Sequence, residues 1–286
     1  MAEAVPITKN TRQGAVEYAE LGEGPAVLCL HGAMGGYDQS LLLGRTIGDA
    51  GYRYIGVSRP GYLGTPMKSG KTAERQAELC AALLDEIGVE TALLMAVSGG
   101  GPCALNFALR HGERCRGLVL VSTCGRKVDT SIPFSFKLMS KLIRIPALAR
   151  GIEKKASGDP NGAASRSIPD PELRERTLSD PEAGPLFREL LASTSHRMAD
   201  RMPGTLNDIA ITRKSDYALE DISAPTLIVH GTADSMVPFD VHARTLASRI
   251  PGAELLAIDG GEHVAIFTHR EQVRERVGAF LRDCSA

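Results

Sequence analysis

The sequence predicts an α/β protein, a mostly parallel sheet with helices on both faces. Three observations predict it: short apolar runs at 26–30, 52–57, 92–97, 117–121, 225–229 and 253–258, helical patterns between most of them, and one long block where this rhythm stops. Near-continuous apolar runs are the mark of strands buried on both faces, and strand–helix–strand units close into parallel sheets.

In chain order, residues 5–8 and 14–20 suit a pair of antiparallel edge strands ahead of the first buried one. Ala73, Ala77, Cys80, Leu84 and Ile87 recur at spacings of four and three, an apolar stripe on one helix that Gly88 ends. Residues 102–110 and 237–249 follow the same logic. Between Cys124 and Asp221 the chain shows helical patterns with Pro and Gly punctuation and no buried strand. The expected division is therefore a core of residues 1–125 and 222–286 with a helical cap at 126–221. Within the cap, Lys137, Lys141 and Arg144 alternate with Leu138, Leu142 and Ile145, giving a basic and an apolar face. Such a helix either packs its apolar side on the core or touches anionic lipid. Phe134, Phe136, Leu138, Met139, Leu142 and Ile145 either line an apolar acyl pocket or pack the cap itself.

Bulk properties remove several function classes. Lys and Arg (33) balance Asp and Glu (34), so no whole-molecule field favours nucleic acid or an anionic membrane. No stretch approaches the ~18 apolar residues of a membrane span, and residues 1–13 lack the apolar run of a signal peptide. The six cysteines are scattered, with no C-x-x-C pair and no metal-ligand spacing to a histidine, and read as reduced thiols in a cytoplasmic protein. No metal and no organic cofactor is expected, and the oligomeric state is left open.

The strand ending at Val97 runs into Ser98-Gly99-Gly100-Gly101, and a helical pattern begins near Pro102. A chain reversing that sharply puts Ser98 in a strained conformation that needs small residues two positions before and after, which Ala96 and Gly100 supply. The same turn lifts the hydroxyl above the sheet, beside the backbone N–H groups of a helix N-terminus. A Gly-rich strand-to-helix turn also cradles phosphate, but no Lys stands where a phosphate loop needs one.

A serine hydroxyl needs an imidazole to take its proton and a carboxylate to fix that imidazole. Asp234 follows the 225–229 strand, at the edge where open α/β sheets place functional groups, although a loop Asp is also a common turn former. His263 follows the last predicted strand after Gly260 and Gly261, whereas His111, His196, His230, His242 and His269 fall at helix ends, in the insertion or at a strand end. His31-Gly32-Ala33 follows the 26–30 strand and has the form of an oxyanion loop, in which the Ala33 N–H joins that of Gly99. His31 reads there as a structural hydrogen-bonding residue.

The order Ser98, Asp234, His263, the His31-Gly32 loop, and Arg59-Pro60-Gly61 after the second buried strand resemble the α/β-hydrolase superfamily, within it the lidded serine esterases and proline-iminopeptidase-like proteins. The resemblance spans about residues 14 to 282. It implies an eight-stranded, mostly parallel sheet with a cap inserted after the sixth strand. Ala96 replaces the commoner first Gly of the elbow, and Ser58 stands where an Asp often precedes Arg-Pro-Gly.

The function expected is hydrolysis of a small carboxylic ester or related acyl compound through an acyl-enzyme. Ser98 is the nucleophile, His263 the base, Asp234 its orienting acid, and the Ala33 and Gly99 N–H groups the oxyanion hole. Carbon–carbon bond, lactone or amide hydrolysis and acyl transfer use the same constellation. A ligand-binding receptor with little turnover is the alternative of another class.

Overall fold

The structure, a computed structural model, describes residues 4–128, 138, 140–143, 145–214 and 216–285. Its strands are β1 (Ile7–Thr11), β2 (Gly14–Leu21), β3 (Ala26–Leu30), β4 (Arg53–Val57), β5 (Ala92–Val97), β6 (Cys115–Val121), β7 (Thr226–Gly231) and β8 (Glu254–Ile258). They form one eight-stranded sheet in the order β1-β2-β4-β3-β5-β6-β7-β8. The β1–β2 and β2–β4 pairs are antiparallel and the other pairs parallel.

Alternation along the central strands divides the core in two. Leu28, Leu30, Leu94, Ala96, Leu118, Leu120 and Ile228 face helices α2 (Ala73–Glu86), α3 (Gly101–Arg110) and α9 (Phe239–Arg249). Val27, Cys29, Leu93, Met95, Val119, Val121, Leu227 and Val229 face α1 (Tyr37–Ile47), α10 (Ala265–Thr268) and α11 (Arg270–Ser285). Successive side chains leave a strand on opposite faces, so a strand buried on both is apolar at every position. Five of the six cysteines are buried and all six are free. Burial pushes the Cys124 thiol up to about 12, so it packs as an apolar group.

The edge of the sheet departs from the sequence expectation. β1 begins at Ile7, two residues later than the apolar pattern suggests, because a two-residue turn at 12–13 sets Thr11 opposite Gly14 and Ile7 opposite Tyr18. Pro6, just outside, has no N–H to give a ladder. β7 runs on through His230 and Gly231, which pair with Ala257 and Ile258 of β8.

Between β6 and β7 lie α4 (Pro146–Ser157), α5 (Pro160–Ser167), α6 (Pro171–Ser179), α7 (Ala183–Ser195) and α8 (Met198–Thr212). Asp-Pro steps start the middle ones: the Asp159 carboxylate accepts from the Gly162 N–H at 2.9 Å, and that of Asp170 from Glu172 N–H at 2.8 Å. Asp caps satisfy N–H groups that the first turn leaves over, and Pro at the first position has none to satisfy. Ala164, Ile168, Leu186 and Phe187 join the second core, so α5 and α7 share it with the sheet.

α8 is bound to the sheet's loops more tightly than any helix pattern reveals. Pro203 lies inside it, and on either side of Pro203 its backbone bonds to the loop after β4. The Gly204 N–H donates to Gly61 O at 2.9 Å, and Asp200 O accepts from the Leu63 N–H at 2.9 Å. Arg201, 1 % exposed, forks onto Asp38 with its shorter contact at 2.6 Å. The amphipathic helix expected around 137–145 falls partly outside the described residues, as do Phe134, Phe136, Lys137, Met139 and Arg144. Of its described members Leu138 and Ile145 are exposed, while Ile143, not part of the expected stripe, is buried with Ala149, Met198 and Met202. No helix among the described residues is long and apolar enough to cross a membrane.

Candidate active site

β5 delivers Ser98 at φ +50°, a left-handed conformation rare outside glycine, and a short 3-10 turn (Ser98–Gly100) passes into α3. The turn is pressed against its neighbours. A Cβ on Gly100 would lie 2.6 Å from Leu30 O and 2.8 Å from His31 O, both backbone atoms with no freedom to yield. Gly100→Ala is therefore expected to destabilise the fold by about 1–3 kcal/mol and to lower turnover with it. Urea unfolding measures the first; an unchanged midpoint would contradict this packing.

His263 reaches the elbow from the loop after β8. Its Nε2 lies 3.1 Å from Ser98 Oγ and its Nδ1 2.8 Å from Asp234 Oδ2. The other oxygen, Asp234 Oδ1, accepts from the Met236 and Val237 N–H groups, each at 2.9 Å. These contacts place the imidazole proton on Nδ1 and leave Nε2 to accept from the serine hydroxyl. Burial alone would raise the Asp234 carboxyl, but hydrogen bonds from His230, His263 and the Val237 N–H hold it well below the usual carboxylate range. The loops after β7 and β8 abut because Gly231 has no side chain: a Cβ there would be 2.0 Å from Gly261 O.

The loop after β3 closes the other side. An ideal Cβ on Gly99 lies 3.5 Å from the Ala33 nitrogen, and one on Gly32 lies 3.1 Å from Ser98 Cβ, so the loop carrying Ala33 packs against the Ser98–Gly99 turn. His31 is fully buried and built into the frame: Nδ1–H donates to Gly32 O at 2.6 Å and Nε2 accepts from the Arg59 N–H at 3.0 Å. Burial and the Arg59 guanidinium keep it neutral, well below the ordinary histidine range.

A cavity of about 370 Å³ opens in front of Ser98 and His263. Its apolar wall comes from α1, α7 and the 264–267 segment, through Leu42, Leu190, Leu191 and Phe267, rather than from Leu138, Leu142 or Ile145. Gln39, Thr194 and Arg166 supply its polar points. Among the described residues no three His, Cys, Asp or Glu side chains gather as metal ligands.

Some functional neighbours escaped the sequence reading. Ser58, at the position noted above, donates to Glu17 Oε2 at 2.6 Å and accepts from the Tyr37 N–H at 2.9 Å. Glu17 of β2 thus provides the carboxylate that position 58 lacks, from 41 residues away. His230 proves to be more than a strand end: its Nε2 is 2.7 Å from Val237 O and 3.3 Å from Asp234 Oδ2. Nearby, His242 is pushed down to about 4 by burial, then by His230 and Arg126. An unfolded histidine titrates near 6.5, so between about pH 6.5 and 4 the unfolded chain binds more protons and stability falls as pH falls. His31 adds to that fall. His242→Gln should lose a few degrees less in Tm than the parent between pH 7.5 and pH 5, by calorimetry. Equal losses would count against a neutral His242.

Comparison with known proteins agrees with this architecture. The family model described as alpha/beta hydrolase fold matches residues 25–270. An α/β-hydrolase fold protein from Nakamurella multipartita is 34% identical, with a TM-score of 0.81 over 97% of this chain and 99% of that one. The 2-hydroxy-6-oxononadienedioate/2-hydroxy-6-oxononatrienedioate hydrolase of Burkholderia vietnamiensis is 28% identical over 97% of this chain and 94% of its own. Its counterpart from Klebsiella pneumoniae is 30% identical over 96% and 93%. With the sheet order, the elbow at Ser98 and a family match over most of its length, the chain belongs to the α/β-hydrolase fold family.

Proposed function

We propose that the protein is a serine hydrolase that cleaves small acyl substrates, foremost a carboxylic ester, through an acyl-enzyme on Ser98. The observation that carries this reading is the unbroken run of contacts Ser98 Oγ–His263 Nε2–His263 Nδ1–Asp234 Oδ2, at 3.1 and 2.8 Å. Ser98 Oγ attacks the substrate carbonyl as His263 Nε2 takes its proton. The carbonyl oxygen becomes an oxyanion held by the Ala33 and Gly99 N–H groups. Collapse breaks the bond to the leaving group, which receives that proton from His263. Water, deprotonated by His263 in turn, then releases the acid and restores Ser98. Asp234 stays ionised and holds the imidazolium.

The 126–221 segment serves in this reading as a cap whose α7 walls the cavity. A volume of about 370 Å³ suits a small substrate, and the mostly apolar wall suits an uncharged acyl or alkyl group. The free, buried cysteines support a reducing, cytoplasmic compartment. A second reading is carbon–carbon bond hydrolysis, favoured by the names of the Burkholderia and Klebsiella relatives. Fluorophosphonate labelling, run beside p-nitrophenyl esters of graded chain length and a 2-hydroxy-6-oxo-dienoate, tests both. Labelling with ester turnover supports the first reading. Labelling with turnover of the dienoate alone selects the second, and no labelling of folded protein refutes both.

A further inference from the structure

We propose that Asp208, carried by α8 of the inserted segment, is a positioning residue that sets the oxyanion hole through Arg59. This rests on the reading of Ala33 and Gly99 as the oxyanion hole. Arg59 is 1 % exposed and Asp208 5 %. The guanidinium meets the carboxylate two-on-two, Nη1 to Oδ1 at 2.7 Å and Nη2 to Oδ2 at 2.5 Å. Two further contacts reach the loop after β3, Nε to His31 O at 3.0 Å and Nη2 to Gly32 O at 3.4 Å, and Nη1 also donates to Gln76 Oε1 at 3.4 Å. Gly32 O also receives His31 Nδ1–H, and His31 is held in turn by the Arg59 N–H.

The consequence follows from peptide geometry. In a planar trans peptide the C=O and the following N–H point in opposite directions. Two donors drawing Gly32 O to the protein side therefore aim the Ala33 N–H the other way, towards Ser98. Asp208 also backs the second donor, since its Oδ2 lies 2.9 Å from an ideal Cβ on Gly99. The Tyr62 hydroxyl donates to that oxygen at 2.5 Å and the Tyr62 ring stands edge-on to His31 at 4.4 Å, completing the brace. Asp208 does not line the cavity, so it acts through Arg59 and not on substrate.

The test compares full-length Asp208→Asn and the double variant Arg59→Met/Asp208→Leu with the parent. The double variant removes both buried charges, so it remains informative where an unpaired Arg59 prevents folding of the single one. Readouts are kcat and KM for a p-nitrophenyl ester, affinity for an alkylboronic acid that forms a tetrahedral adduct on serine, and hydrogen exchange of the Ala33 and Gly99 amides. The expected result is a loss of about 10- to 100-fold in kcat with KM within about threefold, boronate affinity falling in parallel, and faster exchange at Ala33. Values of kcat and boronate affinity within about twofold of the parent would overturn the proposal, as would a rise in KM alone. Failure of the parent to take a fluorophosphonate refutes the Ser98 reading separately. Exchange at Ala33 then decides, and rates equal to the parent's overturn the brace.

Discussion

Ser98→Ala is expected to lower kcat by a factor of about 10⁴ to 10⁶ while leaving the fold and KM nearly unchanged. Alanine keeps the Cβ that the φ +50° turn already accommodates and removes only the oxygen 3.1 Å from His263 Nε2. The residual rate would come from binding and the oxyanion donors, which the substitution does not touch. Fluorophosphonate labelling of the variant should vanish in step with turnover. A variant retaining even a tenth of the parent kcat would mean that the reaction does not run through this hydroxyl.

Asp234→Asn should cost about 10⁴ in kcat, although it changes the shape of the side chain hardly at all. Oδ1 accepts two backbone N–H groups, so an asparagine must place its carbonyl oxygen there and its NH₂ at the Oδ2 position. That amide then faces His263 Nδ1 as a donor and drives the imidazole proton to Nε2, where it blocks acceptance from Ser98. His230 sharpens the conflict, since its Nε2 also lies at 3.3 Å from Oδ2. The measurement is kcat across pH 6–9 with labelling rates alongside. A loss under tenfold would show that the tautomer is not set by Asp234.

The central strands were legible because each is buried on both faces and so carries an uninterrupted apolar signal. The candidate site loops were legible in the same way, since His31 and Ser98 directly follow β3 and β5, and Asp234 and His263 lie in the short loops after β7 and β8. What escaped was pairing across distance. Nothing local in Asn207-Asp208 announces a partner for Arg59, and periodicity sees only that one helical position is polar. A buried Arg demands an acid, but spacing does not say which of 34 acidic residues answers. Glu17 was hidden for the same reason, on a strand read as an edge pair. Which residues wall the cavity was left open between the 134–145 stripe and other segments, because an apolar stripe reports that a helix packs, not against what; of that stripe the described Leu138, Leu142 and Ile145 do not line it.

The contacts that complete the site join residues far apart in the chain: Arg59 to Asp208 spans 149 positions and Ser98 to His263 spans 165. Closures of that length are slow and come after local structure has formed. During synthesis from the N-terminus, the Ser98 turn is made long before His263 exists, and the Arg59–Asp208 pair waits for α8. Under the function proposed above, a nascent or partly folded chain carries an inert serine, and hydrolytic competence switches on only when the last third of the chain has docked.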